Sequence, residues 1–270
     1  MRLKIVFKVI NRDTLFPFSY QPFINAWLYQ LLGNSNAEFA EFLHNKGFGA
    51  NNKQFKFFTF SKLYFHDFNI ENGLMRINDQ EVSLIVSAYL PEIMQHLFKS
   101  LFEQNAPVTL GNYNYKLFLQ IKTAELLPIQ LPTSSAKFSC LSPIAVGKKV
   151  QVSLTKSDTQ YLSPNETEFG HFFMLNLIEK YHAAVEHNLL EPLSVLPKIE
   201  FKSLTTLPKQ KLITIKESID NKPPGKVRSY LFDFELKAPF SLLHLGYFGG
   251  FGRHNAMGFG MVKLLDHKTQ

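Results

Sequence analysis

LLPIQLPTSSA, residues 126–136, is the stretch on which the reading of the fold turns. It carries two prolines and two serines, and the run of regular elements breaks there and starts again. Upstream, Leu3, Ile5, Phe7 and Val9 alternate with Arg2, Lys4 and Lys8, the period-2 pattern of a half-buried strand. A helix is predicted from about Gln21 to Leu32, stopped by Gly33, with Phe23, Ile24, Trp27, Leu28, Leu31 and Leu32 as its apolar stripe. A shorter helix runs from about Asn36 to His44, and a polar loop, Asn45 to Gln54, follows it. Strands are predicted over Phe57–Phe65, Leu74–Asn78 and Glu81–Ala88. A helix opens at Pro91 and reaches about Gln104, and strands near Val108 and over Tyr115–Thr123 close this half.

Downstream the same order returns. A strand is predicted over Lys137–Val146, and Ser163-Pro164-Asn165-Glu166 reads as a capping box opening a helix that reaches about His187. Strands follow near Pro197–Ser203, over Gln210–Ser218 and over Lys226–Lys237, with Pro223-Pro224-Gly225 as the turn between the last two. A short helix over about Pro239–Tyr247 and a strand over Gly258–Leu265 end the chain's regular structure. Each half reads β-α-β-β-α-β. The expected class is α+β, with two tandem ferredoxin-like domains, an arrangement also RRM-like. They span residues 1–126 and 136–270, with 127–135 as the linker.

Composition narrows the function. The 270 residues are 45% hydrophobic and 19% charged, enough for a core. One Cys excludes a disulfide framework and a zinc site built on CxxC pairs, and it fits a reducing, cytoplasmic setting. No apolar run reaches 18 residues, so a transmembrane helix is excluded, and Lys4 and Lys8 make the N-terminus a poor signal peptide. The histidines show no HxH or HExxH spacing, so neither a metal site nor another cofactor is expected. A net charge of +7 favours an anionic partner such as nucleic acid.

Six of the 14 glycines fall within GYFGGFGRHNAMGFG, residues 246–260. The segment is neither a Walker loop nor a dinucleotide fingerprint, because its glycine spacings fit neither. A kinked helix-to-strand connection is the plain structural reading. The functional reading is close approach of backbone to a phosphate. It rests on Gly249, Gly250, Gly252, Gly258 and Gly260, with Arg253 and His254 adding charge.

Gly-Phe-Gly, five residues, then Gly-Phe-Gly-Met-Val (Gly250 to Val262) resembles the C-terminal signature of the CRISPR-associated RAMP proteins. More narrowly, the chain is similar to the Cas-six family, and Leu141-Ser142-Pro143-Ile144-Ala145-Val146 matches that family too. The resemblance implies cleavage of precursor CRISPR RNA within its repeats. It further implies metal-independent transesterification, leaving a 2′,3′-cyclic phosphate and a 5′-hydroxyl. It makes CRISPR repeat RNA the partner, with an effector complex as a further one, for a monomer or homodimer without a membrane anchor.

That chemistry needs a base for the 2′-hydroxyl proton, an acid for the leaving 5′-oxygen and a cation beside the phosphorane. On the first helix Tyr29 falls off the apolar stripe, and on the second His44 falls nearly opposite it. Taken alone, a solvated C-cap histidine and a rim tyrosine account for both. The resemblance implies that Tyr29, His44 and Lys56 are catalytic, with Lys53 and Lys46 as neighbouring alternatives for the lysine. Between Lys198 and Arg228, eight basic residues face three acidic ones. This stretch, with Lys202, Lys211, Lys226 and Arg228, reads as an RNA-backbone track or as a solvated sheet face. The rival function is a non-catalytic RNA-binding RAMP subunit. A plain RRM protein is disfavoured, because no RNP motif occurs.

Overall fold

The computed structural model describes residues 1–50, 53–103, 106–128, 130–151, 153, 157–195, 198–216 and 225–265. The first half runs β1 (Arg2–Val9), β2 (Thr14–Pro17), α1 (Gln21–Ser35), α2 (Ala37–Asn45), β3 (Phe48–Ala50), β4 (Lys53–Phe55), β5 (Phe58–Phe60), β6 (Phe68–Glu71), β7 (Leu74–Ile77), β8 (Glu81–Ala88), α3 (Pro91–Glu103), β9 (Val108–Gly111) and β10 (Lys116–Leu126). The second runs β11 (Ser135–Cys140), β12 (Gly147–Gln151), β13 (Ser157–Tyr161), α4 (Phe169–Glu186), β14 (Glu200–Ser203), β15 (Lys209–Lys216), β16 (Gly225–Leu231), β17 (Asp233–Lys237), α5 (Phe240–Gly249) and β18 (Val262–Leu264), with a 3-10 turn at Asn255–Met257.

Two antiparallel sheets organise the molecule, in the orders β5-β8-β1-β10-β9 and β14-β17-β11-β18. If each half's β-α-β-β-α-β strands are numbered one to four, both sheets read two-three-one-four. That is the tandem ferredoxin-like order expected from the sequence. The additions are the hairpins β12–β13, after the first strand of the second unit, and β15–β16, between its second and third, with the β2-β7-β6 sheet, the β3–β4 hairpin and edge strand β9 in the first half.

Several expected boundaries move. Helix α1 runs through Gly33 to Ser35, since the break comes only at Asn36, whose side chain accepts from Phe39 N and caps α2. The polar 45–54 loop folds as the β3–β4 hairpin. The predicted Phe57–Phe65 strand shrinks to β5: Phe57 takes a left-handed φ of 53°, which delays its start, and beyond Phe60 only an isolated bridge from Tyr64 to Ser83 remains. The strand predicted over 137–146 ends at Cys140. Glu166 Oε1 does accept from Ser163 N, but the box closes a turn, and α4 begins at Phe169. The single strand read over Lys226–Lys237 is two strands in different sheets. The predicted strand over 258–265 contracts to β18. Residues Pro223 and Pro224 of the predicted turn lie outside the described residues, as do Lys222, Glu217, Asp220 and His267.

One hydrophobic core runs through both halves, and within the second half Phe138, Phe173, Phe234 and Phe251 pack ring against ring. Each such burial contributes roughly 1.5–3 kcal/mol. Polar pins cross between halves. Thr59 Oγ1 donates to Phe259 O at 2.8 Å and Ser87 Oγ to Phe248 O at 2.9 Å. Arg2, which alternation placed with the exposed lysines, is buried instead. Its Nη2 donates to Tyr247 O at 2.7 Å and its guanidinium lies 3.5 Å from the Tyr247 ring centroid.

The glycine segment sits at this junction. Gly260 has φ 82°, and a Cβ there would lie 1.9 Å from Phe251 O. Gly260→Ala is therefore expected to destabilise the fold by more than about 3 kcal/mol, combining left-handed strain with a backbone clash. A urea midpoint close to wild type would contradict this. Among the described residues, no helix is long and apolar enough to cross a membrane.

Candidate active site

A cleft of about 570 Å³ opens where α1, the 44–56 segment, β12, α4 and the glycine segment meet. Tyr29 reaches it because α1 buries Ile24, Trp27, Leu28, Leu31 and Leu32 on the opposite side. Helix α2 buries Ala40 and Leu43, which leaves His44 exposed in its last turn. The two rings meet edge to face with centroids 5.0 Å apart. Nδ1 of His44 lies 2.9 Å from Asn45 Oδ1. A carboxamide oxygen only accepts, so Nδ1–H donates and Nε2 is the nitrogen left for proton transfer.

Lys56 arrives by a different route. The chain turns at Gly47, φ 60°, where a Cβ would meet Phe55 O at 2.7 Å and the Lys56 side chain at 2.8 Å. The β3–β4 hairpin then returns the strand, and Lys56 Nζ donates to His44 O at 2.9 Å. Burial lowers the pKa of Lys56 from the ordinary lysine value. Lys53 also lines the cleft, but its ammonium pairs with Glu179 of α4. Lys46 is exposed outside the cleft. Of the three lysines, Lys56 is the one that contacts the His44 residue. Burial pushes the Tyr29 phenol above the ordinary tyrosine range, so it stays protonated near neutral pH.

The opposite wall is the glycine segment. Gly252, Arg253 and His254 line the cleft; Gly249, Gly250, Gly258 and Gly260 are buried behind it. A backbone phosphate cradle made by these glycines meets a different arrangement. The N–H groups of Gly250, Phe251, Arg253, Met257, Gly258 and Gly260 all donate within the protein. His254 does not supply the expected charge. It has φ 61°, its Nε2 lies 3.0 Å from Tyr161 Oη, and burial with Arg253 beside it pulls its pKa to about 4. Arg253, with Nη1 donating to Gly147 O at 3.3 Å, carries the cation on this wall.

The basic stretch lies elsewhere. Lys226 and Arg228 are exposed on one face of the β15–β16 hairpin. Lys211 lies on the other face, where burial, and then the nearby Lys209 and Lys62, lower its pKa. Lys202 is exposed on β14, in register with Glu235. None of the four lines the cleft. The sequence reading missed Lys149 of β12, which lines it. It also missed the part played by Asn25, whose Nδ2 donates to Ala256 O at 2.7 Å and so ties the Tyr29 helix to the glycine segment. Asn25 had a visible signal, being a polar residue beside Tyr29 on the same helix face. Among the described residues, no three His, Cys, Asp or Glu side chains converge as a metal-ligand group.

Residues 15–120 match the family described as CRISPR-associated protein Cas6, N-terminal, and residues 127–264 match CRISPR associated protein Cas6, C-terminal. The CRISPR-associated endoribonuclease Cas6 1 of Methanocaldococcus jannaschii is 27% identical over 270 residues, covering 100% of this chain and 95% of that protein. The CRISPR-associated endoribonuclease Cas6 of Pyrococcus furiosus is 27% identical over 274 residues, covering 100% and 92%. The solved structure of a Cas6-related gene product from Pyrococcus furiosus superposes with a TM-score of 0.80 at 19% identity, over 99% of both chains. That likeness supports the tandem ferredoxin-like fold. With both halves matched in order along one chain, the protein belongs to the CRISPR-associated Cas6 family.

Proposed function

We propose that this protein is an endoribonuclease that cuts precursor CRISPR RNA within its repeats. Its two domains span residues 1–126 and 136–270, joined by 127–135, and it acts in the cytoplasm without a metal ion. The convergence of Tyr29, His44 and Lys56 in one cleft, with Arg253 on the facing wall, carries this reading. His44 Nε2 takes the 2′-hydroxyl proton, the 2′-oxygen attacks the adjacent phosphorus, and the bond from phosphorus to the 5′-oxygen breaks. The Tyr29 phenol, protonated near neutral pH, donates to that departing oxygen. Lys56 stabilises the added negative charge of the phosphorane. The products are a 2′,3′-cyclic phosphate and a 5′-hydroxyl. Lys226 and Arg228, exposed on their hairpin, serve the RNA backbone away from the cut.

Incubation with end-labelled repeat RNA in excess chelator tests the reading. Expected are undiminished cleavage, a downstream fragment that accepts phosphate from a polynucleotide kinase, and an upstream fragment ending in the cyclic phosphate. Products with 5′-phosphate and 3′-hydroxyl ends would overturn the mechanism. Tight binding without any cutting would favour the non-catalytic RAMP subunit.

A further inference from the structure

Helix α4 buries Phe169, Phe173, Leu177, Tyr181 and Ala184, and a lysine sits among them. Lys180 is 2% exposed. Its Nζ donates to Gly250 O at 2.5 Å, Gly252 O at 2.8 Å and Asn255 Oδ1 at 2.7 Å. None of these acceptors is a carboxylate. Asn255 extends the set, since its Nδ2 donates to Phe251 O at 2.9 Å and Phe259 O at 3.0 Å. One lysine and one asparagine thus hold the carbonyls of four glycine-segment residues inward.

A charge in that position is costly, and helix packing alone would be met by Leu or Met. Burial lowers the Lys180 pKa to about 7 against the pull of Glu179. Three acceptors for three protons favour the ammonium form. The geometry has a consequence at the cleft. Carbonyl oxygens carry partial negative charge, and any that turned outward beside Arg253 would oppose a phosphate. Arg253 N itself donates to Ala145 O at 2.8 Å, so the inward carbonyls and the outward guanidinium belong to one backbone arrangement.

We infer that Lys180 is a positioning residue for RNA binding, holding the carbonyls of Gly250 and Gly252 away from the cleft so that Arg253 faces the RNA backbone. The inference rests on the reading of the cleft as the RNA site. It predicts a coupling that a purely structural lysine would not show. Lys180→Met keeps the volume and removes the donors. It is expected to weaken repeat-RNA binding about tenfold, while the single-turnover cleavage rate at saturating RNA stays within about threefold of wild type. Arg253→Ala should weaken binding to a similar degree and shallow the salt dependence by roughly one phosphate contact. In the double variant the losses should not multiply, because Lys180 acts through Arg253.

Binding by thermally checked, folded protein is the measurement, with Lys180→Gln, which retains two donor protons, as the second variant if Lys180→Met does not fold. Wild-type affinity in the folded variant, or multiplied losses in the double variant, would overturn the inference. Failure of both single variants to fold would do so too, by making the lysine a purely structural pin. Wild-type protein that binds repeat RNA without cutting it would sink the catalytic reading and leave this one standing. Wild-type protein that does not bind repeat RNA would overturn both.

Discussion

A repeat RNA carrying one 2′-deoxy nucleotide immediately upstream of the cut is expected to stay intact under conditions where the all-ribose RNA is fully cleaved. The proposed reaction draws its nucleophile from the substrate. Without that hydroxyl there is no oxygen to attack the phosphorus, and rearranging the cleft does not replace it. The contrast is sharp because a water-activating nuclease would be indifferent to the change. Affinity should hardly move, since most of it comes from phosphates along the backbone, and one lost hydroxyl removes at most one hydrogen bond. Gel-resolved single-turnover cleavage, with binding followed in parallel, separates the cases. Efficient cutting of the deoxy substrate at the same position would end the transesterification mechanism.

His44→Ala should have the next largest effect. The side chain is exposed on the polar side of α2, so its removal opens no cavity, and stability should change by no more than about 1 kcal/mol. That allowance covers the lost edge-to-face contact with Tyr29. RNA binding should persist. The chemical step should slow by about 10² to 10⁴, equivalent to about 3 to 5 kcal/mol of transition-state stabilisation. Tyr29→Phe removes only the phenolic hydroxyl, and Lys56→Ala removes both the cation and its bond to His44 O. Each should cost a comparable or smaller factor, and the combined variant should lose less than the product of the three, because the groups act on one transition state. A near-wild-type rate for His44→Ala in single-turnover cleavage would exclude that residue from the mechanism.

The site was legible in the sequence to the extent that exposure is a local property. Tyr29 and His44 stood off the apolar stripes of their own helices, and a 3.6-residue period suffices to show that. Their 5.0 Å approach was not legible, because it depends on how α1 and α2 pack. Nor was the choice among Lys46, Lys53 and Lys56. It is made by the Gly47 turn and the β3–β4 hairpin, which bring Lys56 to the His44 carbonyl, and by Glu179 of α4, which engages Lys53 from the other half of the chain.

The sequence by itself determined the tandem β-α-β-β-α-β order, since alternation in strands such as β1 and amphipathic stripes such as that of α1 are written within a few turns of chain. It could not say which strands pair. A continuous β pattern over 226–237 looks the same whether it makes one strand or, as here, two strands in separate sheets, because pairing is decided by partners distant in sequence. The fate of the charges was likewise tertiary. Arg2 and Lys180 are buried because acceptors 245 and 70 residues away, Tyr247 O and Gly250 O, are brought to them by the fold. A buried charge is tolerable only where such partners already stand. For Arg2 that condition exists once both halves are assembled, for Lys180 once α4 packs on the glycine segment of its own half, and no local pattern records either.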